Sequence, residues 1–177
     1  ILHGEQYTIH ADRLEPGTYY ARTSGVGRAI AAKQAAGPVR IGVVGLGVGT
    51  LSAYGRAGDA IRFYELDPDV LKLARSHFGY LNASPAALEF ALGDARLSLE
   101  RELAQGKPQK FDVLAIDAFS SDSIPVHLIT VEAVEGAAFE PQWGLNEIMV
   151  EKHARHRLVR LAVHVDGSYV TTFSADG

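Results

Sequence analysis

The sequence predicts an α/β domain with a mainly parallel sheet and helices on both faces. Three observations carry that expectation. From Pro38 onward, short apolar runs alternate with stretches of helical periodicity, the order that builds parallel sheets. The apolar runs are continuous rather than alternating, as strands covered on both faces require. The first run, Val39–Val44, opens directly into Gly45-Leu46-Gly47-Val48-Gly49-Thr50, where closely spaced glycines let the backbone turn sharply and approach a ligand with no Cβ in the way.

Taken in order, Ile1–Tyr20 read as a β-hairpin or extended arm that turns at Glu15-Pro16-Gly17. A short helix follows at Ser24–Gln34, so residues 1–37 form an N-terminal region ahead of a core domain at 38–177. Core strands are expected at Val39–Val44, Ile61–Leu66, Leu88–Leu92 and Phe111–Ile116. Helices are expected between them at Leu51–Arg56, Pro68–Phe78 and Ala95–Gln105. The second has the clearest start: Asp67 can cap the first amides, and Pro68 sits where its missing N–H costs nothing. Gly106-Lys107-Pro108 ends the third. The pattern weakens beyond Glu140, except that Leu158–Val165 and Ser168–Phe173 flank Asp166-Gly167, a strong two-residue hairpin signal.

Composition removes several classes of function. The 177 residues are 47% hydrophobic and 21% charged, ordinary for a globular protein long enough to bury a core. A net charge of −4 argues against a nucleic-acid surface, which needs clustered Lys and Arg. The basic run Lys152–Arg160 reads as a solvated face. With no cysteine, disulfides and Cys-ligated zinc are excluded; His153 and His156 lack a carboxylate partner, so no metal is expected. No apolar stretch approaches the roughly 20 residues that cross a bilayer, and a cytoplasmic location is expected. The chain opens at Ile1 without Met, which marks it in expectation as a fragment or processed product.

The glycine loop narrows the ligand. A dinucleotide fingerprint places its third glycine five residues after the first, where this chain has Thr50; the extra glycine falls one earlier, at Gly49. No lysine follows Gly49, so a phosphate loop also fails. What remains, Gly45, Gly47 and Gly49, is the G-x-G-x-G form typical of S-adenosylmethionine-binding folds. About 20 residues on, Glu65 suits ribose hydroxyls. Asp67, two residues further, serves mainly as the helix cap. After the third strand, Asp94 can accept from an adenine amino group while the Ala95 N–H donates to a ring nitrogen; a helix cap is the alternative for Asp94. The fourth strand ends at Asp117, at the sheet edge where ligands of open α/β folds bind. A carboxylate there can orient an amine and take its proton as it attacks the carbon of a sulfonium. Asp122 can add a second negative charge or cap a following helix.

Together VVGLGVGT, FYELDPDV, LGDARLSLE and FDVLAIDAFSSDSIPVHLIT resemble the spermidine synthase family of aminopropyltransferases, most closely its bacterial spermidine-synthase-like branch, often fused to membrane segments. The resemblance covers roughly Leu2 to Val134. It implies a Rossmann-like methyltransferase fold behind a small β-stranded N-terminal region, usually in a homodimer. It also implies that Glu65 holds ribose, that Asp94 and Ala95 hold adenine, and that Asp117 deprotonates the amine. His3-Gly4-Glu5-Gln6 looks like the family's D-G-x-x-Q turn, making Gln6 a cofactor contact, and Tyr20 matches a substrate-facing tyrosine.

The departures are specific. Spermidine synthases carry G-G-G-D-G-G, whose aspartate grips the amino group of decarboxylated S-adenosylmethionine; here Val48 takes its place. The acidic R-D-E-x-x-Y-H-E segment is replaced by Gly17-Thr18-Tyr19-Tyr20-Ala21-Arg22-Thr23, and the D-S-S-D-P loop becomes Asp117–Pro125 with two extra residues. The leading expectation is aminopropyl transfer from an S-adenosylmethionine-type co-substrate to a small amine. Its rivals are small-molecule methyl transfer and a non-catalytic cofactor-binding or dimerisation module.

Overall fold

The computed structural model describes residues 5–7 and 12–118, and the strand backbone at 159–165 and 168–175. The chain divides into two compact units, Ile1–Glu147 and Ile148–Gly177.

In the first unit, α1 (Gly25–Gln34) precedes β1 (Arg40–Val44). A 3-10 turn at Thr50–Tyr54 leads to β2 (Ala60–Glu65), then α2 (Pro68–His77) and α3 (Tyr80–Ala83). The unit continues through β3 (Ala87–Leu92), α4 (Ala95–Ala104) and β4 (Val113–Ile116). The four strands form one sheet in the order β3-β2-β1-β4, every pair parallel. Val43 lies opposite Phe63 on one side and Ala115 on the other, and Phe63 opposite Phe90. The chain therefore leaves β1 towards β2 and β3, then crosses back to the far side of β1. That reversal places a topological switch point between the carboxyl ends of β1 and β4.

Alternation along each strand sorts the core into two layers. Ile41, Val43, Ile61 and Phe63 pack with Val26 and Ile30 of α1 and Ala74 of α2. Val44 and Tyr64 point to the opposite face and pack with Ala95 and Leu99 of α4 and with Phe111. Ile30, Ile41 and Ile61 are fully buried, each stabilising the fold by roughly 1.5–3 kcal/mol. Gly42 is required on the second face, because a Cβ there would lie 2.7 Å from the Phe111 ring.

The predicted strands and the helices after β2 and β3 appear within a few residues of their expected bounds. The predicted helix Leu51–Arg56 is instead the short 3-10 turn. Gly49, at φ +83°, enters it, and Ser52 Oγ donates back to the Gly49 carbonyl at 2.7 Å. At Gly55 the backbone is already extended, against Ala86, and leads into β2. The four-residue α3 was not anticipated; a segment of that length carries no detectable periodicity. In the N-terminal region, the described residues hold a 3-10 turn at Thr18–Tyr20 and no strand, while 1–4 and 8–11 of the expected hairpin lie outside the described residues. In the second unit, β5 (Val159–Val165) and β6 (Ser168–Ala175) pair antiparallel, as the Asp166-Gly167 signal predicts.

Candidate functional site at the carboxyl end of the sheet

The site is built from the residues that end the four strands. After β1 the backbone takes positive φ at Gly45 (+93°), Gly47 (+53°) and Gly49 (+83°). Gly45 has a second reason to be glycine: a Cβ there would lie 2.5 Å from the Asp117 carbonyl oxygen. The ends of β1 and β4 thus touch backbone to backbone, and the Asp117 N–H donates to the Val44 carbonyl at 2.8 Å.

Glu65 ends β2 and organises the loop beside it. Its Oε2 accepts from the Leu46 N–H at 2.9 Å and its Oε1 from the Asp67 N–H at 2.9 Å. Asp67 caps α2 by accepting from Asp69 N–H at 2.8 Å, the role expected of it. Next along the sheet, the Gly93 N–H donates to the Glu65 carbonyl at 2.9 Å. Asp94 is the N-cap of α4, accepting from the Leu97 N–H at 2.9 Å. The cap weighed as its alternative is therefore present. Ala95 is the first helical residue, whose N–H has no partner inside a helix. Gly45, Gly47, Gly49, Glu65, Asp94, Ala95 and Asp117 accordingly lie at or just beyond the ends of adjacent strands, in the sheet order β3, β2, β1, β4.

Asp117 has a partner from far along the chain: the Tyr20 hydroxyl donates to its Oδ2. Tyr20 is buried, with 6% of its surface exposed. Tyr54, in the turn after the glycine loop, donates its hydroxyl to the Tyr20 carbonyl at 2.5 Å. Gly27 makes room for this contact, since a Cβ there would lie 2.6 Å from the Tyr54 hydroxyl oxygen. The hydroxyls of Tyr19 and Tyr20 are 3.0 Å apart. Burial and the Asp117 charge both push the Tyr20 phenol well above its ordinary value, so it stays protonated. Burial raises Tyr19 as well, with a smaller contribution from Asp117.

Of the remaining expected site residues, Gln6 is described. Gln6 is a staple: its Oε1 accepts from Gly79 N–H at 2.8 Å and its Nε2 donates to the Arg13 carbonyl at 2.9 Å. It lines an open depression of about 370 Å³ with Tyr7, Arg13, Leu14, Gly79 and Asn82, none of them a strand-end residue. Asp122, His153 and His156 lie outside the described residues. Among the described residues, no group of three or more acidic or histidine side chains could hold a metal ion, and no helix is long and apolar enough to cross a membrane. Tyr19 and Tyr54 were not foreseen from the sequence. The adjacent pair Tyr19-Tyr20 was a signal for one, whereas nothing local distinguishes Tyr54 from a core aromatic.

A strand order that reverses beside β1, with a glycine loop at the reversal, defines a Rossmann-like methyltransferase fold. Human methyltransferase-like protein 13, solved in complex with SAH, shares that fold at a TM-score of 0.51 and 20% identity, over 64% of this chain and 55% of that one. No family model matches the chain. A polyamine aminopropyltransferase of Vibrio vulnificus is 34% identical over 98 residues, covering 54% of this chain and 31% of that protein. The resemblance to the spermidine synthase-like aminopropyltransferases is borne out by that match, which spans under a third of the relative's length. An NAD kinase of Geotalea daltonii is 45% identical over a shorter stretch of 42 residues, 24% of this chain and 15% of the kinase. Spermidine synthase in complex with the transition state analogue AdoDATO superposes at a TM-score of 0.42 and 18% identity, over 57% of this chain and 35% of that one.

Proposed function

We propose that the chain is a transferase that binds S-adenosylmethionine or its decarboxylated form along the carboxyl edge of the sheet and moves an aminopropyl group onto an amine. The observation that carries the reading is the carboxylate of Asp117, held by Tyr20 at the switch point, where the Asp117 backbone packs against Gly45.

The residues fit such a ligand. Gly45, Gly47 and Gly49 supply the positive φ that turns the backbone at the end of β1, and a side chain at Gly45 would collide with Asp117. Glu65 has lone pairs beyond the two used on Leu46 and Asp67, and these suit ribose hydroxyls. Asp94 and the Ala95 N–H offer an acceptor and a donor to an adenine edge. The ligand supplies one thing, a carbon made electrophilic by the adjoining sulfonium. Asp117 binds and orients the incoming ammonium and takes a proton from it. As the amine attacks, an N–C bond forms, the C–S bond breaks with its electron pair leaving on the thioether sulfur, the product nitrogen remains a secondary ammonium, and Asp117 passes the one proton it took to solvent. Tyr20 keeps the carboxylate in place by donating to it throughout.

Methyl transfer is the second reading, favoured by Val48 in the glycine loop, where no carboxylate is present to hold the amino group of the decarboxylated form. Calorimetry with methylthioadenosine, S-adenosylmethionine and its decarboxylated form tests both. Tighter binding of the decarboxylated form supports aminopropyl transfer, the reverse order supports methyl transfer, and no binding of any of the three rejects the transferase reading.

A further inference from the structure

We infer that Tyr19 recognises the acceptor, its phenolic oxygen taking a hydrogen bond from the acceptor's cationic nitrogen. The inference rests on the transferase reading and names a residue for its second substrate.

Counting protons along a chain of three groups fixes the direction of each bond. An ionised carboxylate only accepts hydrogen bonds, and a phenol has a single proton to give. The Tyr20 proton is committed to Asp117 Oδ2. Across the 3.0 Å between the two hydroxyls, Tyr20 can therefore only accept, and Tyr19 is the donor. That spends the Tyr19 proton too, leaving lone pairs on its oxygen. A ligand group that meets this oxygen has to be a donor. Hydrogen bonds in series polarise one another, so the carboxylate charge makes the terminal oxygen a stronger acceptor and favours a cation over a neutral donor.

Position selects Tyr19 for this role. Tyr20 is 6% exposed and Tyr19 38%, so Tyr19 is the member of the pair with surface open to solvent. The backbone holds it there before any ligand arrives. Thr18, immediately before the pair, has φ +53°, a strained conformation rare for a β-branched residue. Such strain persists only where surrounding contacts enforce it. Here they are the Tyr20 N–H to the Gly17 carbonyl at 3.1 Å, the Ala21 N–H to the Thr18 carbonyl at 3.2 Å, and the Tyr54 hydroxyl on the Tyr20 carbonyl.

The test is calorimetry on the chain saturated with methylthioadenosine, titrated with 1,4-diaminobutane or with the uncharged 1,4-butanediol, comparing wild type with Tyr19→Phe. The expected result is unchanged methylthioadenosine affinity, diamine binding about tenfold weaker in the variant, and a diol that binds both proteins equally poorly. Equal diamine affinity in the two proteins overturns the inference. So does a wild type that binds methylthioadenosine but not the diamine. If methylthioadenosine does not bind, the transferase reading itself fails, a distinct outcome visible before any amine is added.

Discussion

The Tyr20 phenol donates its proton to the carboxylate of Asp117 although 97 positions separate the two residues. One rides on the segment before α1 and the other directly follows β4, so the bond joins the N-terminal region to the sheet's switch point. A hydrogen bond to a charged group contributes roughly 1.5–3 kcal/mol, more than most single contacts at a loop. Tyr20→Phe should therefore lower unfolding stability by about 1.5–3 kcal/mol in urea titration. A loss below about 0.5 kcal/mol would show that the bond is not maintained in solution.

Asp117→Asn keeps the shape and removes the charge. Turnover of an amine acceptor should fall by a hundredfold or more, the usual scale for losing a positioned base, while methylthioadenosine affinity stays within about twofold. Rates and calorimetry on the same preparation separate the two effects. Undiminished turnover would remove Asp117 from the chemistry.

Glu65→Gln exchanges two acceptor oxygens for one acceptor and one donor group. The amide cannot accept from both Leu46 and Asp67 through separate oxygens, so the glycine loop loosens as the ribose acceptor is lost. A tenfold or larger loss of methylthioadenosine affinity is expected, with about 1 kcal/mol of stability lost. Unchanged affinity would place the ribose elsewhere.

Two glycine substitutions separate collision from backbone strain. Gly93 has φ +119° and open space where a Cβ would stand, whereas at Gly45, φ +93°, a Cβ would lie 2.5 Å from the Asp117 carbonyl oxygen. Gly93→Ala should cost about 1 kcal/mol, from conformation alone. Gly45→Ala should cost about 1–3 kcal/mol more, because β1 and β4 have to part. Equal melting temperatures for the two variants would argue against the close approach at Asp117.

Far from the site, Asp59 joins α1 to the starts of β1 and β2. Its carboxylate accepts from Val39 N–H at 2.9 Å, Gln34 Nε2 at 2.8 Å, and Arg56 N–H and Nε at 3.0 and 3.1 Å. Burial opposes the charge, but the hydrogen bonds from Arg56, Val39 and Gln34 outweigh it and hold the carboxyl below the usual range. The folded value thus lies below the unfolded one of about 4, so the stabilisation is complete above that pH and is lost as pH falls through the folded value. Asp59→Asn should destabilise by about 3 kcal/mol at neutral pH, and its gap from wild type should narrow towards about pH 3. A gap that stays constant with pH would refute the charged role.

How much was legible beforehand differs from residue to residue. Asp67 was readable as a cap because the partner amide lies two residues away, and the observed bond to Asp69 is that cap. Gly45 and Glu65 were readable because strand-loop geometry fixes their place at strand ends. Gln6 was expected on the ligand, and both ends of its amide bond backbone groups, of Gly79 and Arg13. Nothing near Gln6 in sequence announces a partner as distant as Gly79. Leu51–Arg56 was expected as a helix between the first two strands; the early return of the chain at Gly55, against Ala86, leaves only the turn at Thr50–Tyr54.

By itself the sequence determined the sheet strands and the loops at their carboxyl edge. Those depend on local rules: apolar runs, glycines at positive φ, caps within one turn. Only the tertiary structure decided that Tyr20, a residue of the N-terminal segment, would be the partner of Asp117, and that Tyr54 and Gly27 would hold it there. Such contacts are set by how α1 packs on the sheet, an outcome of burial summed over the whole core rather than of any short stretch of sequence.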